Sequence, residues 1–240
     1  MDISQVTKRM RKALPLKYCS AVIVAAGSAS RMGGIDKVMA PLQGEPMIAR
    51  TVLAFQNCEA IREIVVVTRP DLIAPISLLC QGYEKVKSVV AGGSTRQESV
   101  SLGINALSPK TELVAIQDGA RPLITCQVID RTVRAANTYG AAAPAIPVKD
   151  TVKVVQGGVV TATPQRKNLN AVQTPQVFDV DLLRAALKKA SDDGAEVTDD
   201  CSAVERLGMK VKIVEGDERN LKVTTPMDLK IAQLLLEEMK

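Results

Sequence analysis

Ser20-Ala21-Val22-Ile23-Val24-Ala25-Ala26-Gly27-Ser28-Ala29-Ser30-Arg31-Met32-Gly33-Gly34-Ile35-Asp36-Lys37 is the stretch from which the fold is read. Its first third is a run of small and β-branched apolar residues without polar alternation, the pattern of a strand covered on both faces. The run stops at Gly27 and passes through small residues to Arg31 and Lys37. A strand tipped by small residues lets an anion approach the main-chain N–H groups, and two cations stand near to neutralise it. The stretch reads as a triphosphate cradle. An ordinary strand and turn with two solvated cations fits the same residues, so the decision rests with the other segments.

Working outward, strand and helix patterns alternate. Glu45–Asn57 has helical spacing, Ile64–Val67 is a buried strand, Leu72–Cys80 a helix, Val86–Val90 a strand, Ser94–Leu107 a helix and Leu113–Ile116 a strand. Val128–Tyr139 is helical, and Ala141–Pro147 leads out of the sheet. Continuous apolar strands separated by amphipathic helices predict an α/β fold: a Rossmann-like, doubly wound, mainly parallel sheet. Ligands in such folds sit at the carboxyl ends of the strands.

Residues 148–174 break this rhythm with short β-prone pieces around Gln156-Gly157-Gly158, a hairpin signal. A lone hairpin cannot cover itself. It is expected to project as a β-arm, packed on the same arm of a second subunit or folded back on its own domain. Asp179–Ser191, Thr198–Leu207, a strand Lys210–Val214 and a helix Pro226–Met239 follow. The organisation expected is a basic extension over 1–17 and one domain over 18–240 that carries the arm.

Composition narrows the chemistry. The 240 residues are 46% hydrophobic, enough for one large core. The net charge of +5 is spread along the chain, and the aromatics are Phe55, Phe178 and three tyrosines. Stacking platforms for bases are therefore missing, and nucleic acid is not the expected partner. There is no histidine, which removes Ser-His-Asp and Cys-His catalysis and every imidazole base. Five scattered cysteines without a CxxC point to reduced thiols and a cytoplasmic setting. The apolar run after the basic N-terminus is shorter than the roughly 7–15 residues of a signal-peptide core. No run has the length of a membrane span.

Other strand ends carry polar signatures. Gly92-Gly93-Ser94-Thr95-Arg96 enters a helix, offering hydroxyls and free N–H groups or, more simply, a good cap. Gln117-Asp118-Gly119-Ala120-Arg121-Pro122 sets a carboxylate where a strand opens onto the ligand crevice. That is costly unless it meets a metal, a hydroxyl or a cation, Arg121 included. Lys222 stands shortly before a helix that begins at Pro226.

Together these motifs resemble the 2-C-methyl-D-erythritol 4-phosphate cytidylyltransferase family of the non-mevalonate isoprenoid pathway. The match runs from about Cys19 to Leu236 through Ala25-Ala26-Gly27, Arg31-Met32, Lys37, Gly92-Gly93, Arg96, Ser99-Val100, Asp118 to Pro122, Asp150 to Lys153, Gln173 to Phe178, Thr198-Asp199-Asp200 and Lys222-Val223-Thr224. The resemblance implies a nucleotidyltransferase that joins CTP to a polyol phosphate. Arg31, Lys37 and Lys222 would be catalytic, holding the triphosphate and the transition state. Ala25, Ala26, Gly27, Gly93, Ser94, Ser99 and Asp118 would bind the nucleotide. Asp118, Arg121, Thr151, Arg166 and Thr174 would bind the polyol phosphate, with Arg166 reaching over from a neighbouring subunit of a homodimer. Mg²⁺ or another divalent cation is the implied cofactor, held mostly by the triphosphate with Asp118 as its protein ligand; Asp199 and Asp200 are ligands or helix caps. A cytoplasmic bacterial enzyme is implied, with a plastid enzyme as the other setting.

Some residues depart from the family pattern. Gln117 stands where histidine is usual, Gly119 replaces an alanine, Ala29 a glycine, and Ser94 a frequent acidic residue. The Ser94 change is expected to leave a backbone N–H for the base. The rival readings are a nucleotidyltransferase for another sugar or polyol phosphate, and a non-catalytic nucleotide-binding protein. A dinucleotide-dependent dehydrogenase is disfavoured, because Ala29 interrupts the glycines and the second strand ends in Val67-Thr68-Arg69-Pro70 rather than an acid.

Overall fold

The computed structural model describes residues 15–27 and 37–238. Arg31, the loop around it and the first fourteen positions of the expected extension lie outside the described residues.

The strand Cys19–Ala25 (β1) is buried at all but one position. It pairs in parallel with Glu63–Thr68 (β4) on one side and Leu113–Asp118 (β6) on the other. Between β1 and β4 come a small antiparallel pair, Pro41–Leu42 (β2) and Glu45–Pro46 (β3), and the helix Met47–Gln56 (α1). The helix Ile73–Leu79 (α2) leads to Val86–Ala91 (β5), which extends the sheet beyond β4. The helix Arg96–Asn105 (α3) then carries the chain back across β1 to β6. The strand order therefore reverses at β1 and β6. A crevice opens at their carboxyl ends, where neither following connection covers the sheet.

After β6 the helix Cys126–Tyr139 (α4) returns the chain to Ala141–Pro147 (β7). This segment was expected to lead out of the sheet. Instead it is a full strand, joined by Asn170–Val172 (β10), Gln176–Asp179 (β11) and Lys212–Glu215 (β12). The sequence pattern predicts no strand over 176–179, yet β11 lies antiparallel between β6 and β7. Its four residues are too few for alternation to show.

The β1 side chains alternate between two cores. Ala21, Ile23 and Ala25 pack with α1, α2 and α4. Val22 packs on the other face with α3 and the helices Val180–Asp192 (α5) and Asp200–Glu205 (α6). This two-sided burial is why the strands read as unbroken apolar runs. The last helix, Pro226–Glu238 (α7), packs through Leu229, Ala232 and Leu236 around Leu42 and Met47.

Val154–Gln156 (β8) and Val159–Ala162 (β9) pair only with each other, and every residue in them is exposed. Gly157 and Gly158 turn the hairpin at φ +55° and +79°, values that a side chain disfavours. Within the 148–174 span, residues 151–153 precede the hairpin without strand pairing, and β10 is tied to β7. The free-standing part is the hairpin itself.

Candidate active site

A cavity of about 400 Å³ opens where β1 and β6 end. Val24 and Asp118 are register partners, so the two strands bring Ala25-Ala26-Gly27 and Asp118 to the same rim. Lys37, Gly93, Ser94, Ser99 and Lys222 complete its wall together with Thr95, Arg96 and Ala120. Segments from both ends of the chain meet here. A wider groove of about 930 Å³ between α3 and α5 shares Thr95 and Arg96 with this cavity.

Asp118 is the electrostatic centre. Its residue is 8% exposed, and its carboxylate meets Lys222 Nζ at 2.8 Å, Arg96 Nη2 at 3.6 Å and Arg121 Nε at 3.8 Å. Burial alone would raise its pKa, but these three cations outweigh burial and hold the carboxyl below its usual value. Asp118 is thus ionised at neutral pH and cannot donate a proton. Its backbone N–H donates to Thr174 Oγ1 at 3.1 Å, which places Thr174 beside it.

The loop carrying Lys222 is held on both sides. Val223 N–H donates to the Ala120 carbonyl at 2.9 Å. The buried Asn220 donates through Nδ2 to the Thr174 carbonyl at 2.9 Å, and its own carbonyl accepts Arg121 Nη1 at 2.6 Å. Just beyond, Asp228 accepts from Thr224 N–H, Thr224 Oγ1 and Thr225 N–H at 2.8 Å each, capping the start of α7. Lys222 therefore enters the site on a braced loop, although it follows β6 by more than a hundred residues.

The glycine turn contributes Gly93 to the wall. A Cβ on Gly92 would collide with Ala26 Cβ and come within 2.8 Å of Ser99 Oγ, so the first-strand tip and this turn touch because no side chain stands between them. Gly93 N–H donates to Ser99 Oγ at 3.1 Å. The expectation for Ser94 is corrected: its N–H and hydroxyl both donate to Glu98 Oε2 at 2.7 Å, so the N–H is already engaged. Glu98 brings to this turn the acid that position 94 lacks.

Arg96 received no role of its own from the sequence, and Asp200 was expected as a metal ligand or a helix cap; the two meet at the cavity. Arg96, quoted only as part of a motif, lines the cavity and faces Asp118. Asp200 binds Arg96 Nη2 at 2.7 Å from a position 1% exposed. The Asp199-Asp200 pair separates into two roles. Asp199 caps α6 by accepting from Ser202 N–H at 2.9 Å, and Asp200 turns inward. A cation three residues after a glycine pair was the signal for Arg96; nothing local distinguishes the two aspartates.

Thr151 and Arg166 are not at the cavity of a single chain. Both are exposed on the arm, where Arg166 Nη1 donates to the Lys149 carbonyl at 2.8 Å. No group of three or more acidic, cysteine or histidine side chains that could hold a metal exists among the described residues. Among the described residues, Asp118 is the sole carboxylate on the cavity wall. One carboxylate suits a Mg²⁺ that arrives on phosphate oxygens and keeps its waters.

A family model described as 2-C-methyl-D-erythritol 4-phosphate cytidylyltransferase matches residues 19–238. The cytidylyltransferase of that name from Caldanaerobacter subterraneus subsp. tengcongensis is 44% identical over 228 residues, covering 91% of this chain and 99% of the relative. That from Symbiobacterium thermophilum is 46% identical over 221 residues, covering 91% and 93%. The crystal structure of 4-diphosphocytidyl-2C-methyl-D-erythritol synthase from Anaerococcus prevotii superposes with a TM-score of 0.84 at 34% identity, covering 92% of this chain and 96% of that one.

Proposed function

The chain belongs to the 2-C-methyl-D-erythritol 4-phosphate cytidylyltransferase family, and from that premise we propose how its own residues carry out the reaction. The enzyme joins CTP and 2-C-methyl-D-erythritol 4-phosphate, releasing pyrophosphate. A phosphate monoester with its second pKa near about 6 is largely dianionic at pH 7 and is already a nucleophile. A chain without histidine therefore lacks nothing for a direct in-line attack on the α-phosphorus of CTP.

The transfer needs two polyanions brought together while charge grows on the α-phosphate and the leaving pyrophosphate. Positioning supplies roughly 7–11 kcal/mol of such a barrier. Lys37 and Lys222, both on the cavity wall, hold the triphosphate with Arg31. Ala25, Ala26, Gly27, Gly93, Ser94 and Ser99 surround the nucleoside. Asp118 stays ionised and orients Lys222, Arg96 and Arg121, and with Arg121 and Thr174 it receives the methylerythritol phosphate. Mg²⁺, carried by the triphosphate with Asp118 as its nearest protein donor, would add electrostatic stabilisation of the phosphoryl charge. The observation that carries this reading is the convergence of three cations on Asp118 at the strand-order reversal.

The arm completes the site in a homodimer. Val155 and Val160, register partners on one face of the hairpin, are each 53% exposed, an apolar pair that a second arm would cover. Thr151 and Arg166 would then reach the neighbour's polyol phosphate. The relatives named above are bacterial, and no helix among the described residues is long and apolar enough to cross a membrane. A cytoplasmic setting accords with both.

The deciding assay is pyrophosphate release with CTP, ATP, GTP and UTP against a panel of polyol phosphates, with and without Mg²⁺. Turnover with CTP and methylerythritol phosphate that requires the metal is the expected result. Turnover with a different pair alone would overturn the substrate assignment.

A further inference from the structure

Asp200 lies behind the cavity wall. Its carboxylate takes Arg96 Nη2 at 2.7 Å, and the same nitrogen reaches Asp118 Oδ1 at 3.6 Å. One guanidinium nitrogen is thus shared between a carboxylate in the interior and the carboxylate at the centre of the site. Asp200 cannot follow Arg96 if the guanidinium moves. Its backbone N–H and that of Cys201 both donate to Gln176 Oε1 at 3.0 Å. Gln176 belongs to β11, where it pairs in register with Ile116 of β6. The strand that carries Asp118 and the carboxylate that restrains Arg96 are therefore parts of one rigid unit.

A buried carboxylate is costly unless paired and hydrogen-bonded. An ion pair that only tied α3 to α6 would satisfy this with any orientation of the guanidinium. The orientation found leaves Nη2 facing Asp118, and it leaves Lys222 the shorter contact with Asp118. With Asp200 removed, Asp118 is the one carboxylate among the described residues that stays within 4.0 Å of the Arg96 guanidinium.

We propose that Asp200 is a positioning residue for the cytidylyl transfer, acting through Arg96: it holds the guanidinium back from Asp118, so that Asp118 keeps its contact with Lys222. This rests on the assignment of Asp118 to the site, which an Asp118→Asn variant run alongside tests separately.

The experiment is a double-mutant cycle in kcat/KM, with Asp200→Asn and Arg96→Met alone and combined, and thermal unfolding of each variant. Asp200→Asn is expected to lower kcat/KM about 10–100-fold, by analogy with the outer partners that orient metal ligands. In the Arg96→Met background the same change should cost less than about twofold, because nothing is left to position. Should Asp200→Asn alone not fold, the comparison of Arg96→Met with the double variant, which lacks both charges, decides. Chemical rescue gives a second readout. Millimolar guanidinium should restore activity to Arg96→Ala, and adding Asp200→Asn should abolish that restoration.

Full activity of folded Asp200→Asn, an undiminished cost in the Arg96→Met background, or rescue indifferent to Asp200 would each overturn the proposal. Loss of activity in Asp118→Asn beside full activity in Asp200→Asn would refute the positioning role and leave the site assignment standing.

Discussion

Lys222 Nζ lies 2.8 Å from Asp118 Oδ2, a contact that joins the end of the sixth strand to a loop near the end of the chain. The carboxylate is nearly buried and the lysine is 42% exposed at its side chain. The pair is therefore anchored at the aspartate, and the lysine is free to turn toward phosphate oxygens.

Lys222→Ala should lower kcat by about 10²–10³-fold, the range for removing one preorganised donor from a transition state. The fold should survive, since the lysine's half-exposed side chain packs against no core. Steady-state kinetics with a thermal melt checks this; an unchanged kcat would remove Lys222 from the chemistry.

The acid limb of the kcat/KM profile should fall near pH 6, set by protonation of the methylerythritol phosphate at about 6. The carboxyl of Asp118 is held below its usual value by Lys222, Arg96 and Arg121, so it stays ionised through that range. By linkage, the stability this group contributes is present above its unfolded-state pKa and is lost as pH falls through the lower folded-state value. Activity should therefore fail at a higher pH than Asp118-linked stability. A profile measured with a phosphonate of different pKa should move its acid limb accordingly.

Asn220→Ala should cost about 1–3 kcal/mol of stability, because the Thr174 carbonyl loses a buried donor. It should also lower kcat, because the loop that presents Lys222 loses its brace. Chemical denaturation and steady-state kinetics on the same preparation test both effects.

Arg166→Ala should chiefly raise the KM for methylerythritol phosphate, with melting temperature unaltered, since Arg166 is exposed on the arm. Mixing it with an inactive Lys37→Ala variant should restore activity if a site draws Arg166 from the neighbour. Absence of restoration would mean self-contained subunits.

The parallel half of the sheet was legible because β1, β4 and β6 are buried on both faces, and that burial writes itself as continuous apolar runs. The arm was legible through its glycine turn. β11 was not, since four residues between β6 and β7 carry no period of their own. Within the site, Asp118 stood at a strand end and could be named from position, whereas the parts given to Ser99 and Lys222 came from the family resemblance. Arg96 and Asp200 could not be assigned, because the partner that gives each its role lies far away in the chain.

Residue order alone determined the fold class, the glycine-lined cradle and a chemistry without an imidazole base, because these follow from local pattern, from steric size at Gly92 and from what the composition lacks. Only tertiary structure decided which charges meet: that Asp118 is shared by Lys222, Arg96 and Arg121, that Glu98 engages the Ser94 N–H, and that Asp199 caps a helix while its neighbour Asp200 restrains Arg96. Coulombic and hydrogen-bonding energies depend on distances of a few ångströms, and such distances between remote residues exist only once the sheet has brought their strands together.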